Sequence, residues 1–376
     1  MSRGRLGVVT TSFPRDTGDP AGAFVGGFAR WLVGAGWSVE VIAAGPGSST
    51  VDGIPVRRID GRGLFYEGGA PDALSDGGAR GWARAAAFQT ALMIAAMQHG
   101  ARWDAVVSHW LAPSAFAVEA ALQISARPRR RHLAIAHSSD VNLLQRTVAG
   151  RAAMRWLSKR ADLVYSARHL VVRGAPGRVV AMGIDPSRGG DRERGRRRFM
   201  LQRTTALFLG RLVPVKGVDQ LLDALPRSLD LIVAGDGPLG AHLRRKAAHF
   251  GDRVRFVGEV RGEVKADLLA AADLLVVPSC RLADGRTEGT ATVLLEGLDA
   301  GLPIVATRTG GAAEVISDGE SGLLVDPEPG ALRRALVRIA DDEALRNRLS
   351  DRARRDGKRH RWATVGPVLA GPLASV

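Results

Sequence analysis

Two carboxylates eight positions apart carry the densest chemistry in the chain. They lie in the segment RTEGTATVLLE, residues 286–296, with Glu288 just ahead of a helix predicted to begin near Thr290 and Glu296 inside it. At a rise of ~1.5 Å per residue Glu296 lies roughly 9 Å along the axis from the helix start, about the reach of a diphosphate from one end to a sugar at the other. The backbone amides of Gly289, Thr290 and Ala291 fall at the helix N-terminus, where the dipole favours an anion. One carboxylate can then hold the hydroxyls of one sugar, the amides a phosphate, and the second carboxylate the hydroxyls of another sugar. An acidic residue at a helix start also stabilises that helix with no ligand present, so the pair alone is ambiguous.

Its neighbours resolve the ambiguity. Arg211 and Lys216, in GRLVPVKG, follow a predicted strand and place two cations on one strand–loop–helix turn, where they can neutralise the charge developing on a departing diphosphate. AGDGPLG, residues 234–240, fits the spacing of a dinucleotide-binding loop, but Pro238 lies inside it and Arg255 stands where an acidic residue would be needed. A tight strand-to-helix turn is the better reading. In the first half, Gly26 and Gly27 open or interrupt the first helix, either to let backbone approach a phosphate or to pack that helix closely on a sheet. His137, in AIAHSSD, follows an apolar strand and so sits at a strand's carboxyl end. Asp140 is either a contact to an acceptor hydroxyl or a helix cap, and the cap is preferred.

The elements that must position these residues alternate. Leu6–Thr10, a loop, a helix over Phe24–Ala35 and a strand over Ser38–Ala43 give the rhythm of a parallel sheet. Residues 45–81 are rich in Gly, Pro and Asp and are read as an irregular, mobile insertion. A helix over Ala83–Gln98 and strands at Ala105–Ser108, Leu133–Ala136, Leu163–Ser166 and Val179–Ala181 complete the first half. The alternation restarts at Leu207 and runs through Pro303–Ala306. The fold class is α/β, with two doubly wound domains facing across a cleft. Residues 1–185 form the first, 186–203 a charged linker with almost nothing to bury, 204–357 the second, and 358–376 a closing segment.

The 376 residues suit two domains, and 45% hydrophobic with 24% charged residues is an ordinary globular balance. The single cysteine, Cys280, excludes an intramolecular disulfide framework and fits a reducing compartment. The N-terminal apolar stretch is too short for a signal peptide, and no uncharged run reaches membrane-spanning length, so a cytoplasmic, soluble or peripheral protein is expected. The net charge of +15 is uneven: residues 1–200 hold 28 basic and 15 acidic side chains, residues 201–376 hold 25 and 23. A basic first half points to an anionic partner or to solvated surface arginines.

The second half resembles the donor domain of the retaining glycosyltransferases of family 4, which have the GT-B fold of two Rossmann-like domains. The resemblance runs through GRLVPVKG, AGDGP, RVRFVGEV, AADLLVVPS, the Glu288/Glu296 pair, GLPIVATRTGG and DGESGLLVDP. TSFP, GAFVGGFARWLVGAGWSVEVIA, SHWLAPSAFA and AHSSDV resemble the acceptor domain more loosely. It implies hexose transfer from a nucleotide diphosphate sugar with retention at the anomeric carbon, with neither cofactor nor metal. It implies that Glu296 binds the ribose, that Glu288 with Gly289, Thr290 and Ala291 holds the transferred sugar, and that Arg211 and Lys216 stabilise the leaving diphosphate. Gly26 and Gly27 would cradle that diphosphate from the first domain, and His137 would lie near sugar and acceptor. The closing stretch His360–Leu369 resembles a helix that crosses back to the first domain, with Gly366-Pro367 expected to shorten or kink it.

A nucleotide-sugar epimerase or phosphorylase of the same build is the nearest rival. Nucleic acid is not expected as a partner, because aromatic residues are only 5% and no recognition motif occurs. The expected partners are the nucleotide sugar and a carbohydrate or lipid-linked acceptor. An anionic membrane surface is a further candidate, met by Arg127, Arg129–Arg131 and the stretch Arg151–Arg160, which interleaves Met154, Trp156 and Leu157. No nucleophile is placed by spacing, so front-face transfer assisted by the leaving phosphate is the expected course.

Overall fold

Leu6 and Val8 pack with Phe28 and Leu32 on one face of a sheet, while the next residue, Val9, packs with Phe88 and Leu92 on the other. That alternation, repeated along neighbouring strands, is what a sheet covered on both faces requires. The computed structural model describes residues 3–61, 64–65, 70–125, 130–186 and 189–373. They divide into unit 1, built from residues 1–183 and 362–376, and unit 2, residues 184–361.

Unit 1 holds strands β1 (Gly4–Val9), β2 (Trp37–Ala44), β3 (Ser48–Val51), β4 (Ile54–Ile59), β5 (Ala105–His109), β6 (Arg131–Ala136), β7 (Asp162–Tyr165) and β8 (Arg178–Val179). Their order in the sheet is β3-β4-β2-β1-β5-β6-β7-β8, parallel except for the β3–β4 hairpin. Helices α1 (Ala23–Gly34), α2 (Ala70–Gly100), α3 (Phe116–Ile124), α4 (Ser138–Leu144) and α5 (Val148–Ser158) connect them.

The segment 45–81 is therefore more regular than its composition implies. Asp52 and Gly53, both at positive φ, make the two-residue turn of the β3–β4 hairpin, and β4 then adds to β2 in parallel. Within that segment Arg62, Gly63 and residues 66–69 lie outside the described residues.

Trp362 closes unit 1. Its ring stacks on Phe28 with centroids 5.2 Å apart, and the helix it begins, Trp362–Ala370, runs unbroken through Pro367. The expected shortening at Gly366-Pro367 does not occur. Gly366 lies directly against the Trp31 ring, so side-chain packing holds the helix where one backbone donor is missing.

Unit 2 contains α6 (Arg192–Arg198), β9 (Thr205–Leu209), α7 (Val218–Ala224), β10 (Asp230–Ala234), α8 (Gly240–Ala247), β11 (Val254–Gly258) and α9 (Gly262–Ala271). Then come β12 (Leu274–Val277), α10 (Thr292–Ala300), β13 (Ile304–Thr307), α11 (Ala312–Val315), β14 (Gly322–Val325), α12 (Pro329–Asp341) and α13 (Glu343–Gly357). The sheet is wholly parallel, ordered β11-β10-β9-β12-β13-β14.

Much of the segment expected as a linker is helix α6. Asp191 caps it by accepting from the Arg194 N–H at 2.6 Å. Arg194 grips the carboxylate of buried Asp267 through two bonds of 2.7 and 2.6 Å, while Arg192 and Arg196 reach Asp273. The arginines held down the apparent burial in the sequence, yet they are what fastens α6 to α9. Ser187 and Arg188 lie outside the described residues. Residues 358–361 belong to this unit too, with Arg361 bonded to Asp299 at 2.6 Å.

Candidate functional site

Unit 2 reverses its strand order between β9 and β12, and open α/β sheets bind ligands beyond the carboxyl ends of the strands at such a point. β9 leaves into residues 210–217 and β12 into residues 278–288. The two exits are tied together. The Cys280 N–H donates to the Val215 carbonyl at 2.9 Å. Gly217 sits at φ +67°, where a Cβ would fall 1.9 Å from the Pro278 carbonyl oxygen.

This tie sets Lys216 beside the second loop. Its Nζ lies 2.5 Å from Glu288 Oε1, and the Ser279 hydroxyl donates to Oε2 at 2.7 Å. Both charged side chains stay partly open to solvent. Below them the hydroxyls of Thr307 and Thr309 donate to the Ser279 carbonyl, the latter at 3.0 Å. Gly310, at φ +55°, passes under the Glu288 and Gly289 carbonyls, and the Gly311 N–H donates to Gly289 at 2.8 Å. Ser279, Glu288, Gly289, Ala291, Thr307 and Thr309 line one concavity. Burial and the Glu288 charge push the neighbouring Cys280 thiol up, away from thiolate chemistry.

Glu296 stands one turn into α10, and both its oxygens lie 2.8 Å from Lys265 Nζ of α9. Arg211 is exposed on the same turn as Lys216. That turn is seated by AGDGPLG: the Leu212 N–H donates to the Asp236 carbonyl at 2.9 Å, and a Cβ on Gly235 would fall 1.9 Å from the Gly210 carbonyl. The glycine spacing of that loop thus serves close backbone packing.

One expectation about α10 needs correction. The helix begins at Thr292, with Ala291 as its N-cap, two residues later than the spacing implied. Gly289, Thr290 and Ala291 form the approach to the helix, pinned by the Gly310–Gly311 turn. The amides at the helix N-terminus are those from Thr292 onward.

Unit 1 has its own reversal of strand order, between β1 and β5. Gly26 and Gly27 lie inside the continuous helix α1, neither opening nor interrupting it. The Gly26 N–H already donates to Gly22 at 3.0 Å, so it is spent within the helix, and the missing side chain at Gly26 admits Pro14. Asp140 is not the N-cap expected for a helix from Val141: α4 begins at Ser138 with His137 as its N-cap. Asp140, three residues on, closes a capping box, one carboxylate oxygen accepting from the His137 N–H at 2.9 Å and the other from the Leu111 N–H. Burial lifts this carboxyl to about 7 against four backbone amides that pull it back. His137 is buried at the start of α4, and loss of solvent lowers its imidazole to about 3. Its Nε2 lies 3.2 Å from Nδ1 of His109, a fully buried ring stacked nearly parallel to it.

Ser108, His132 and Glu119 line up at 2.7 and 2.8 Å in the order of a nucleophile relay. All three are sealed inside the sheet–helix core, so they tie β5, β6 and α3 together. In α5, Met154 and Leu157 face the core and Trp156 carries Arg160 over its ring at 4.5 Å. Met154 and Leu157 therefore serve packing, which corrects their expected availability to a membrane, while Trp156 stays half-buried. Arg130 donates to the carbonyls of Gly100 and Ala101, and Arg131 to Pro372. Arg127 and Arg129 lie outside the described residues.

Sequence reasoning missed Ser279, Thr307, Thr309, Lys265 and His109 as site residues. Ser279 and His109 carry a usable signal, since each stands at the end of an apolar strand. Lys265 carries none: it meets Glu296 across 31 positions.

Residues 191–356 match the family described as glycosyl transferases group 1. A D-inositol 3-phosphate glycosyltransferase of Geodermatophilus obscurus is 33% identical over 301 residues, 73% of this chain and 62% of the relative. A GDP-mannose-dependent alpha-(1-6)-phosphatidylinositol monomannoside mannosyltransferase of Mycobacterium tuberculosis is 38% identical over 170 residues, 42% of each chain. An uncharacterized glycosyltransferase of Methanocaldococcus jannaschii is 26% identical over 238 residues, 61% of this chain and 64% of the relative. The chain thus spans from about two fifths to less than two thirds of the length of these relatives. Among solved structures, sucrose-phosphate synthase from Thermosynechococcus elongatus has a TM-score of 0.77 at 20% identity, covering 98% of both chains. Anabaena HepE in complex with UDP and glucose has a TM-score of 0.72 at 19% identity, covering 99% of this chain and all of that one. At such identities the likeness is one of fold, the two Rossmann-like units of GT-B proteins.

Proposed function

We propose, from the premise that residues 191–356 belong to the group 1 glycosyl transferases, that the protein moves a hexose from a nucleotide diphosphate sugar to an acceptor hydroxyl in glycoconjugate synthesis. The observation that carries this reading is Glu288 held between Lys216 and Ser279 at the strand-order reversal of unit 2, with Glu296 eight positions on, one turn into α10.

In this reading Glu296 takes the ribose hydroxyls and Glu288 the hydroxyls of the transferred sugar. Lys216 and Arg211 meet the charge that builds on the leaving diphosphate. That charge balance needs no metal, so turnover is expected to persist in a chelator. Transfer proceeds with retention, the leaving phosphate receiving the acceptor proton on the face that it vacates. The names of two relatives, which act on inositol phosphate and a phosphatidylinositol mannoside, make a polyol or lipid-linked acceptor the first class to try. No helix among the described residues is long and apolar enough to cross a membrane. The basic side chains of unit 1 are assigned to weak, salt-sensitive attachment at an anionic bilayer; equal binding to neutral and anionic vesicles at low salt would remove that assignment.

The test is a thermal-shift panel of uridine, guanosine and adenosine diphosphates and their hexose conjugates, with Glu296→Ala alongside. Stabilisation by one base series, reduced in the variant, supports the donor assignment. No stabilisation by any of them overturns it. Mass analysis of products then separates transfer from isomerisation of the donor.

A further inference from the structure

Trp110 holds an unusual backbone. Its φ is +66° and ψ +124°, a region that a bulky L-residue enters only against steric strain. Among the described residues two other non-glycines have positive φ, Asp52 in the hairpin turn and Met200 just past helix α6. Both are places where chain reversal accounts for the conformation. Trp110 instead follows β5 directly, and its N–H continues the ladder by donating to the Ile135 carbonyl at 3.0 Å.

The strain orients the indole. The core beneath it is already filled by Phe28, Leu133 and Ile135, each fully buried, while Trp110 and Phe24 remain partly open to solvent. Ring centroids lie 4.8 Å apart for Trp110 and His137, 5.1 Å for Phe24 and His137, and 5.8 Å for Phe24 and Trp110. This aromatic wall stands at the carboxyl ends of β5 and β6, beside the strand-order reversal of unit 1 where a ligand is expected. The flat, partly exposed rings of Trp110 and Phe24, backed by buried His137, suit a ligand that is polar at its edges and apolar on a face.

We propose that Trp110 and Phe24, backed by His137, form a stacking platform for one pyranose or cyclitol ring, whose C–H face lies on the indole while its hydroxyls remain at the rim. The glycosyl-transfer reading supplies the choice of ligand class; the platform itself rests on unit 1 alone.

The test is saturation-transfer NMR on the full chain with myo-inositol, methyl α-D-mannopyranoside and methyl α-D-glucopyranoside, each with and without the nucleotide diphosphates. Transfer to the ring C–H protons of at least one probe is expected. It should be retained in Trp110→Phe and weakened at least about fivefold in affinity in Trp110→Leu. Equal binding by wild type and Trp110→Leu, or transfer to none of the probes, overturns the platform. Melting temperature and nucleotide-induced shift, measured on the same samples, confirm that each variant is folded. Nucleotide binding without sugar transfer signal defeats the platform and leaves the donor reading intact, and the reverse pattern defeats the donor reading alone.

Discussion

Lys216 and Glu288 meet at 2.5 Å across two different loops, and the second oxygen of Glu288 is occupied by the Ser279 hydroxyl. The carboxylate is therefore fixed in orientation before any ligand arrives, and its cation is already in place. Preorganised charge of this kind is where enzymes gain most of their transition-state stabilisation. Glu288→Gln and Lys216→Ala are each expected to lower turnover by at least ~100-fold with the fold intact. Steady-state rates with the donor found by the nucleotide panel check this, and near wild-type rates in both variants would remove the assignment.

Glu296 differs in that its partner comes from another helix. Lys265 bonds both of its oxygens, so the carboxylate is held but not buried. Glu296→Ala is expected to weaken nucleotide binding about tenfold or more, equivalent to about 1.4 kcal/mol. Lys265→Ala should weaken it less, since the acceptor oxygens remain. Isothermal titration with the preferred nucleoside diphosphate measures both, and an unchanged Kd for Glu296→Ala counts against the ribose role.

Gly310 gives a structural test. At φ +55° an alanine is strained, and its Cβ would also fall 2.5 Å from the Glu288 carbonyl oxygen. Gly319 has φ +75° with nothing within 4 Å, so alanine there meets strain alone. Gly310→Ala should cost more than Gly319→Ala, whose penalty is expected near ~1 kcal/mol, and only Gly310→Ala should also reduce turnover. Equal losses of melting temperature in the two variants would mean that the Glu288 backbone yields freely.

Stability should respond to acid through unit 1. The folded chain holds the His137 imidazole at about 3 and His109 well below its ordinary value, whereas both take up a proton near 6.5 when unfolded. Below about pH 6.5 the unfolded state therefore binds more protons, and stability falls as pH falls toward 3. Asp140 acts in the opposite sense: with its carboxyl raised to about 7, stability falls as pH rises from about 4 to 7. Urea unfolding at pH 7.5, 6 and 5 should show a shallower acid loss in His137→Asn than in the parent chain, and a steeper one in Asp140→Asn. Parallel profiles in all three proteins would show that these groups do not set the response.

The repeating elements were legible in the sequence because apolar runs at strand and helix spacing survive translation into buried faces. Leu207 and Ile232 point one way while Phe208 and Val233 point the other, as the alternation requires. What misled was composition used as a proxy for order. Arg192, Arg194 and Arg196 have the look of a solvated linker, yet acidic residues some 70 to 80 positions away turn them into the fastening of a helix. The Asp52-Gly53 turn was readable from its dipeptide and was obscured by the glycine-rich sequence around it. Among site residues, Glu288 and Glu296 announce themselves by their spacing, one ahead of α10 and one inside it. Lys265 comes to Glu296 from a separate element, and such adjacency leaves no local trace, whereas His109 is marked by its place at the end of an apolar strand.

The route of the chain has a consequence for synthesis. Unit 1 is started first, but its core lacks Trp362 and the residues after it until the whole of unit 2 has been made. Unit 2 has its ends side by side, with the Ile184 N–H on the His360 carbonyl at 2.9 Å, so it can close as soon as residue 361 emerges. On the ribosome the domain begun second is thus the first able to finish, and the earlier one must wait with the surface around Phe28 and Trp31 uncovered. Loss of the last fifteen residues would leave unit 1 in that nascent state, a molecule that keeps the carboxylate pair of unit 2 but lacks a finished first domain.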